Sequence, residues 1–528
     1  MVGLAPRDPA GLEAFLEDVQ NPASPRYHRF LTQDEYNARF APAAEDEQAV
    51  VSHLESSGLS VTDRFPNRLL VGASGSVAAI ERAFGVHLHA VQFRGRQHFS
   101  ALGEPILSAS LGRVITGVSG LDDLGEMQPR SRPSGPVAAP NASVGSGCCA
   151  LSPNDLRSLY GDSTELDGAG ETLVIAGVYA WKTSDNTAFS TQWSLPQLPA
   201  GSGQVCTRSG NPNGCRFSNQ NSLEVALDVE YSHGTAPGAI ILNYMAASRV
   251  FSDFTVMYNR IVSDNPGHVV STSWGYCEAG LSAATQQADD DIFANANAIG
   301  QSWFAASGDA GSLDCNGLLT VDHPANSPHI IGVGGTTPSC SGGMIPSDPA
   351  CAGYGTETGW SGSGGGISTL FARPSFQTGC GVPDGTTRLV PDVALEADTS
   401  PGNYVIENSS WLIVGGTSGA APQWAGFAAK LDQQQGGAGL GNPGAYLYGL
   451  CDTPRYHDIT SGSNGDYTAG PGYDLVTGLG SIQAANFFAP LGPATVPALS
   501  RAGAALLLGL LAAAGVAGAA GRSRSGPL

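Results

Sequence analysis

The sequence predicts an α/β protein: a large domain built on a parallel sheet flanked by helices, preceded by a small α+β domain. Three observations carry this. In residues 150–492, apolar runs recur at 172–179, 239–246, 268–273, 303–306 and 330–334, with helical segments between them. Runs that are apolar on both faces suit strands buried in a parallel sheet. Residues 125–149 hold a stretch rich in Pro, Ser, Ala and Gly with no hydrophobic period, which reads as a flexible, protease-accessible linker. All ten cysteines lie at or beyond position 148, so the chain before the linker carries none.

Within residues 1–124, Leu12, Phe15, Leu16 and Val19 have helical spacing over 11–20. A second helix is expected over 44–57, ending near Gly58, and a third over 76–84, closed by Gly85. Short strands are expected at 59–64 and 68–72, and 86–93 alternates like a strand.

Composition limits the function. The chain has 528 residues, with 71 Gly, 34 Pro and 41% hydrophobic residues, which fits a loop-rich globular protein. The net charge is −21 and the lysines are Lys182 and Lys430 alone, so a nucleic-acid partner is not expected. A charged fraction of 13% with an excess of carboxylates suits an acidic medium. No Cys-x-x-Cys or Cys/His metal spacing occurs, and an even cysteine count suits disulfides and an oxidising compartment. Cys206–Cys215 and Cys340–Cys351 are candidate short-loop pairs, with the connectivity open. Met1 is not followed by an apolar leader, so the start is expected to be truncated or mis-assigned. Residues 502–521 are a run of Ala, Leu, Gly and Val between Arg501 and Arg522, long enough to span a bilayer. A membrane contact through this tail is therefore expected.

The chemistry-bearing segments come next. Gly415-Gly-Thr-Ser-Gly-Ala-Ala-Pro422 delivers Ser418 from a glycine turn to the start of an apolar helix, where the helix N-terminus favours negative charge. A His base would be His233, in His233-Gly-Thr-Ala236, but no Asp-Thr-Gly strand lies upstream to orient it. Ser222-Leu-Glu-Val-Ala-Leu-Asp-Val-Glu230 fits better, because Glu224 and Asp228 fall one helical turn apart in an apolar setting. Two such carboxyls can share one proton and leave one poised as a base at low pH. Glu230 fits a solvated acidic face instead. Asp309, in Ser307-Gly-Asp309, sits in a glycine-rich turn after an apolar strand. A protonated carboxyl there could donate to an oxyanion, which makes sense only at acid pH.

These segments, in this order, resemble the sedolisin family of serine-carboxyl peptidases. Leu156-Arg-Ser-Leu-Tyr-Gly161, Ser273-Trp-Gly275 and Trp360-Ser-Gly-Ser-Gly-Gly-Gly366 extend the resemblance, and residues 1–124 resemble that family's activation propeptide. The resemblance implies a subtilisin-like fold, with Ser418 as nucleophile, Glu224 as general base, Asp228 as its coupled partner and Asp309 as oxyanion stabiliser. It also implies that Trp274 lines the substrate cleft. Asp458 and Asp474, with the carbonyls of Ile459, Gly470 and Gly472, are implied as ligands of one Ca²⁺, a hard cation suited to such oxygens. Gly415 and Gly419 stand where many members have Ser and Ala, which is expected to loosen the turn. The propeptide's first strand is expected to be missing. Residues 493–528, with Val496-Pro-Ala-Leu-Ser500, resemble bacterial C-terminal sorting tails of the "IPTL" type.

The expected protein is thus an acid-active endopeptidase, exported to the cell envelope or beyond, acting on proteins or peptides and inhibited by its own propeptide. A tripeptidyl aminopeptidase on the same fold and a catalytically silent surface-anchored binding protein are the alternatives. Processing is expected between about Asp122 and Ala150.

Overall fold

The structure is a computed structural model that describes residues 1–93, 95–137, 150–207, 222–315, 317–342 and 350–490. In the N-terminal part, Val2–Leu4 is an inner strand of a four-stranded antiparallel sheet, between Leu70–Ser74 and Ile115–Val118, with Ser60–Arg64 at the edge. A strand of three residues therefore stands at the start of the described residues. It and Ile115–Val118 are too short to show an alternating pattern. Helices Ala44–Ser56 and Val77–Phe84 bury Val50, Leu54, Ala79 and Phe84 against Val2, Leu4 and Val71. Ser76 caps the second of these by accepting from the Ala79 N–H, and Gly85 ends it at φ 62°. The expected strand near 86–93 is Leu88–Phe93, paired in a hairpin with Arg96–Ala101. A helix at Gln33–Arg39, opened by a Thr32/Glu35 capping box, was not legible as an apolar stripe.

The five apolar runs of the larger part all become inner strands. The sheet order is Gly203–Cys206, Ile240–Met245, Thr172–Gly177, Val269–Thr272, Ser302–Ala306, Ile331–Cys340 and Tyr354–Gly359, with Val393–Glu396 also beside Ile331–Cys340. Every pair is parallel except that with Tyr354–Gly359. Leu173, Val174, Ile175 and Ala176 are fully buried in succession, which is why the run shows no alternation. Helix Thr417–Gln435 crosses the sheet, buried from Thr417 to Asp432 and packed against helix Leu223–Thr235.

The two parts belong to one unit, Met1–Phe487. The small sheet rests on helix Ala283–Ala298, and glycines permit the approach. A Cβ on Gly3 would lie 2.6 Å from the Ala288 Cβ, and one on Gly117 2.4 Å from the Ala284 carbonyl oxygen. The linker expectation needs correcting for its first half. Gln128–Pro129 pairs antiparallel with Trp274–Cys277, and Arg132–Pro136 with Ser410–Gly415. Backbone pairing of this kind requires no side-chain period, so the composition hid it. Residues 138–149 lie outside the described residues.

Disulfides join Cys277–Cys315, Cys340–Cys351 and Cys380–Cys451. Cys206 is also disulfide-bonded, while Cys215, Cys148 and Cys149 lie outside the described residues, as does the apolar tail at 502–521. Among the described residues no helix is long and apolar enough to cross a membrane.

Asn67 ties the two parts together. It is fully buried, and its amide donates to Asn259 Oδ1 at 2.6 Å and to Asn295 Oδ1 at 3.1 Å. Removing it strands Asn259, whose amide also donates to Asn67 Oδ1 at 3.3 Å, and leaves Asn295 Oδ1 with only the Gln33 amide at 3.5 Å. Asn67→Ala is expected to lower the stability of the unprocessed chain by about 1–3 kcal/mol, measured by denaturation in a Ser418→Ala background that prevents processing.

Candidate active site

Helix Leu223–Thr235 is buried at every residue from Glu224 onward, so its two inward carboxyls are sealed from water. Glu224 and Asp228 are 2% and 1% exposed. Ser273 donates its hydroxyl to Asp228 Oδ1 at 2.6 Å. Burial pushes Asp228 up to about 8, partly offset by Ser273. Burial and then the neighbouring Asp228 push Glu224 well above the usual carboxylate range. The hydroxyls of Ser131 and Ser418 face Glu224 and favour its ionised form, although neither reaches strict hydrogen-bond geometry. Glu230 is also buried, with the Ile406 N–H donating to it at 3.1 Å, so it is not the solvated residue expected. The helix is buried on all sides, and no part of it could serve as an acidic face.

Ser418 is the second residue of helix Thr417–Gln435, and its hydroxyl donates to the Ser273 carbonyl at 3.4 Å. The turn before it is tight. A Cβ on Gly415 would lie 2.6 Å from the Ala397 oxygen and from the Thr399 nitrogen. A Cβ on Gly419 would lie 2.9 Å from Asn403 Nδ2. The expected loosening does not occur, because neighbouring atoms fill the space that a Ser and an Ala would take. Gly416, at φ 108°, is the residue that needs freedom here.

Asp309 follows strand Ser302–Ala306 and is buried beside this turn. Its Oδ1 accepts from the Thr417 N–H at 2.8 Å and from the Thr417 hydroxyl at 2.9 Å. Its Oδ2 has no hydrogen-bond partner among the described residues. Burial raises this carboxyl to about 7 against the opposing effects of Thr417 and Arg130.

The cleft is filled by the chain's own segment 128–136. The Ser418 N–H donates to the Arg130 carbonyl at 3.0 Å, and the Arg130 N–H donates to the Ser273 carbonyl at 3.0 Å. A Cβ on Gly416 would meet the Arg130 oxygen at 2.1 Å and Asp309 Oδ2 at 2.7 Å, so both oxygens border one point. Trp274 lies beneath: its backbone pairs with Pro129, while its ring is buried against Tyr179 and Phe254 with the Arg249 guanidinium over it. Its side chain is thus largely a packing element.

The arrangement excludes a His base. His233 is buried away from Ser418, with Nε2 2.7 Å from the Pro196 carbonyl, and burial lowers its pKa. The structure places the Ser418 N–H and Asp309 Oδ2 beside the Arg130 carbonyl, with Glu224 facing the Ser418 hydroxyl and Asp228 bonded to Ser273.

Comparison with known proteins agrees. The activation-domain family described as "Pro-kumamolisin, activation domain" matches residues 1–124, and the subtilase family matches residues 205–441. Sedolisin of Pseudomonas sp. is 31% identical over 522 residues, covering 93% of this chain and 86% of its own. Kumamolisin of Bacillus sp. is 33% identical over 505 residues, covering 89% and 87%. The crystal structure of Pseudomonas sedolisin, a serine-carboxyl proteinase, superposes with a TM-score of 0.58 over 65% of this chain and 98% of that one, at 31% identity.

The chain is a member of the sedolisin family. It is accordingly a serine-type peptidase made as a proenzyme, with a subtilisin-like fold. Relative to what the sequence motifs indicate, the structure adds Ser273, Thr417, Ser131 and Arg130 around Glu224, Asp309 and Ser418. Ser273 could have been found from its place directly before Trp274 in Ser-Trp-Gly. Arg130 carries no local signal, since it lies in a segment whose pairing is purely backbone.

Asp458 and Asp474 each accept backbone N–H groups from the glycine-rich loop around 470–472. The Gly472 N–H reaches both oxygens of Asp458 at 3.1 and 3.2 Å, and the Gly470 N–H reaches Asp474 Oδ2 at 3.1 Å. Asp474 also accepts from Val476 and Thr477, each at 2.8 Å. Loop N–H groups thus orient each carboxylate separately, and carboxylate and carbonyl oxygens are the donor type that a hard cation takes.

Proposed function

We propose that this member of the sedolisin family is an acid-active endopeptidase in which Ser418 attacks the peptide carbonyl, Glu224 takes and returns its proton, Asp228 couples to Glu224, and Asp309 stabilises the oxyanion. The observation that carries the reading is the Arg130 carbonyl, held by the Ser418 N–H at 3.0 Å with Asp309 Oδ2 bordering the same point. That is the position in which a tetrahedral oxyanion needs donors. The helix N-terminus at Thr417 adds a favourable field for the developing charge.

Asp309 sets one limit of pH. Raised to about 7, it is neutral below that value and can donate; above it, the group is an anion facing the oxyanion. Activity is therefore lost as pH rises. Glu224 sets the other limit, since it must lose its proton to act as a base. In the unprocessed chain the bound segment keeps water off this raised carboxyl, which favours its neutral form. Removing the segment admits water, which opposes that upward shift. The two buried carboxyls titrate as a pair, so the acidic limb belongs to both.

Endopeptidase action is supported by the course of the chain upstream of Arg130. The chain continues from Arg130 through Pro129 and Gln128 to Met127, whose N–H donates to the Arg249 carbonyl at 2.8 Å. A tripeptidyl peptidase would need a stop three residues before the cut bond. A silent binding protein would not need all four reacting groups. Asp458, Asp474 and the carbonyls of Ile459, Gly470 and Gly472 would hold one Ca²⁺, which ties loops far from Ser418. Disulfides support export to an oxidising compartment.

The pH profile tests the mechanism. Activity of the processed enzyme should be bell-shaped, with an alkaline limb where Asp309 loses its proton. Asp309→Asn should move that limb upward, Glu224→Gln should abolish activity throughout, and His233→Gln should retain it. Full activity of the parent well above that limb would contradict the role of Asp309. Removing the cation with a chelator, or Asp458→Ala, should lower the melting temperature of the processed enzyme, because native-state binding energy is lost. An unchanged melting curve together with no metal in elemental analysis would contradict the site.

A further inference from the structure

The side chain of Arg130 points to specificity. Although arginine is rarely buried without partners, its side chain is only 12% exposed here. Its guanidinium is ion-paired with Asp322 and lies 3.8 Å from Asp314 Oδ1. The two carboxyl side chains are 1% and 5% exposed, so this is a built, desolvated pocket and not a surface contact. The fold fixes both walls. Asp322 lies opposite Cys277 in the ladder between Trp274–Cys277 and Asp322–His323. Asp314 precedes Cys315, which is bonded to that same Cys277. Asp314 also accepts from the Asp309 N–H at 3.2 Å, which ties the pocket wall to the reacting centre.

Glycines keep the pocket open. A Cβ on Gly308 would fall 1.8 Å from Asp314 Oδ2. One on Gly275 would lie 3.1 Å from both the Arg130 Nε and Asp322 Oδ2. A larger residue at either place would displace the carboxylate or the guanidinium. The residue whose carbonyl is held at Ser418 is the one whose side chain enters this pocket, so the pocket reads the residue preceding the cut bond.

We propose that Asp322 and Asp314 make this enzyme selective for arginine, and secondarily lysine, immediately before the cut bond, and that its first cut is its own Arg130–Ser131 bond. The inference rests on the endopeptidase reading above. In the first cut, Ser418 Oγ bonds to the Arg130 carbonyl carbon and the bond to the Ser131 nitrogen breaks. The Ser418 proton passes through Glu224 to that nitrogen, leaving Ser131 as a new amino terminus. Water then hydrolyses the ester, giving the Arg130 carboxyl group and restoring Ser418. A planar guanidinium can engage both carboxylates, whereas an ammonium is a single compact charge, hence the preference for arginine.

The test is a peptide-library digest by the acid-activated full chain, with mass spectrometry of the products and of the enzyme's new N-terminus. Arginine should dominate the position before the cut, and Ser131 should be the first N-terminus to appear. In Asp322→Asn, the ratio of kcat/KM for arginine over phenylalanine substrates should fall by about tenfold or more, since a buried charge partner is lost. Cleavage after apolar residues by the wild-type enzyme would overturn the proposal and leave the peptidase reading intact. Equal loss for both substrates in Asp322→Asn would show a structural role only and would also overturn it. No cleavage at any pH would overturn the peptidase reading, and this inference with it. The library profile needs no variant, so a failure of Asp322→Asn to fold does not decide the matter.

Discussion

Three carboxyl groups, on Glu224, Asp228 and Asp309, are sealed from water around one serine hydroxyl. Burying a carboxylate without a partner is costly, and the usual response is to hold the proton. This constraint organises the site. In the mechanism proposed above, it lets Asp309 act as a donor and lets two carboxyls one helical turn apart take the place of an imidazole. In that proposal the chemistry belongs to acid, because protonation is what makes such a cluster tolerable. The rest of the fold serves that burial: a helix enclosed on every side supplies Glu224 and Asp228, and a central helix supplies Ser418.

Latency follows from the same geometry. The segment that joins the propeptide to the peptidase domain runs through the cleft, paired by strand hydrogen bonds on both sides of Ser418. It places a carbonyl where a substrate's would be, and it keeps water from Glu224. Asn67 and the close approach at Gly3 and Gly117 hold the propeptide on the helix behind the cleft. The inhibitor is thus positioned by contacts remote from the reacting atoms, while a short stretch of backbone blocks them.

Much of this was legible in the sequence, for identifiable reasons. The five inner strands of the large sheet read correctly because burial on both faces leaves continuous apolar runs. Glu224 and Asp228 could be paired because helical spacing puts them on one side of an otherwise apolar segment. Other features left no trace. The strands Val2–Leu4 and Gln128–Pro129 are too short for a pattern, and their pairing uses only backbone atoms. Glu230 was misread because a helix buried all round gives no polar face to separate a surface carboxylate from an inner one. The packing around Gly415 depends on the carbonyl of Ala397, which lies outside the motif, so motif comparison alone could not show that the turn stays tight. Asp322 and Arg130 are separated by most of the sheet's connections, and only the folded chain brings them together.

The most direct test of the central claim is infrared difference spectroscopy of protonated carboxyl groups in the Ser418→Ala chain, where the cleft stays filled. Protonated carboxyl bands should persist at about pH 6, well above the range of ordinary carboxylates, and should diminish in Glu224→Gln and in Asp309→Asn. Absence of any protonated carboxyl band at that pH, or bands unaffected by both substitutions, would contradict the account.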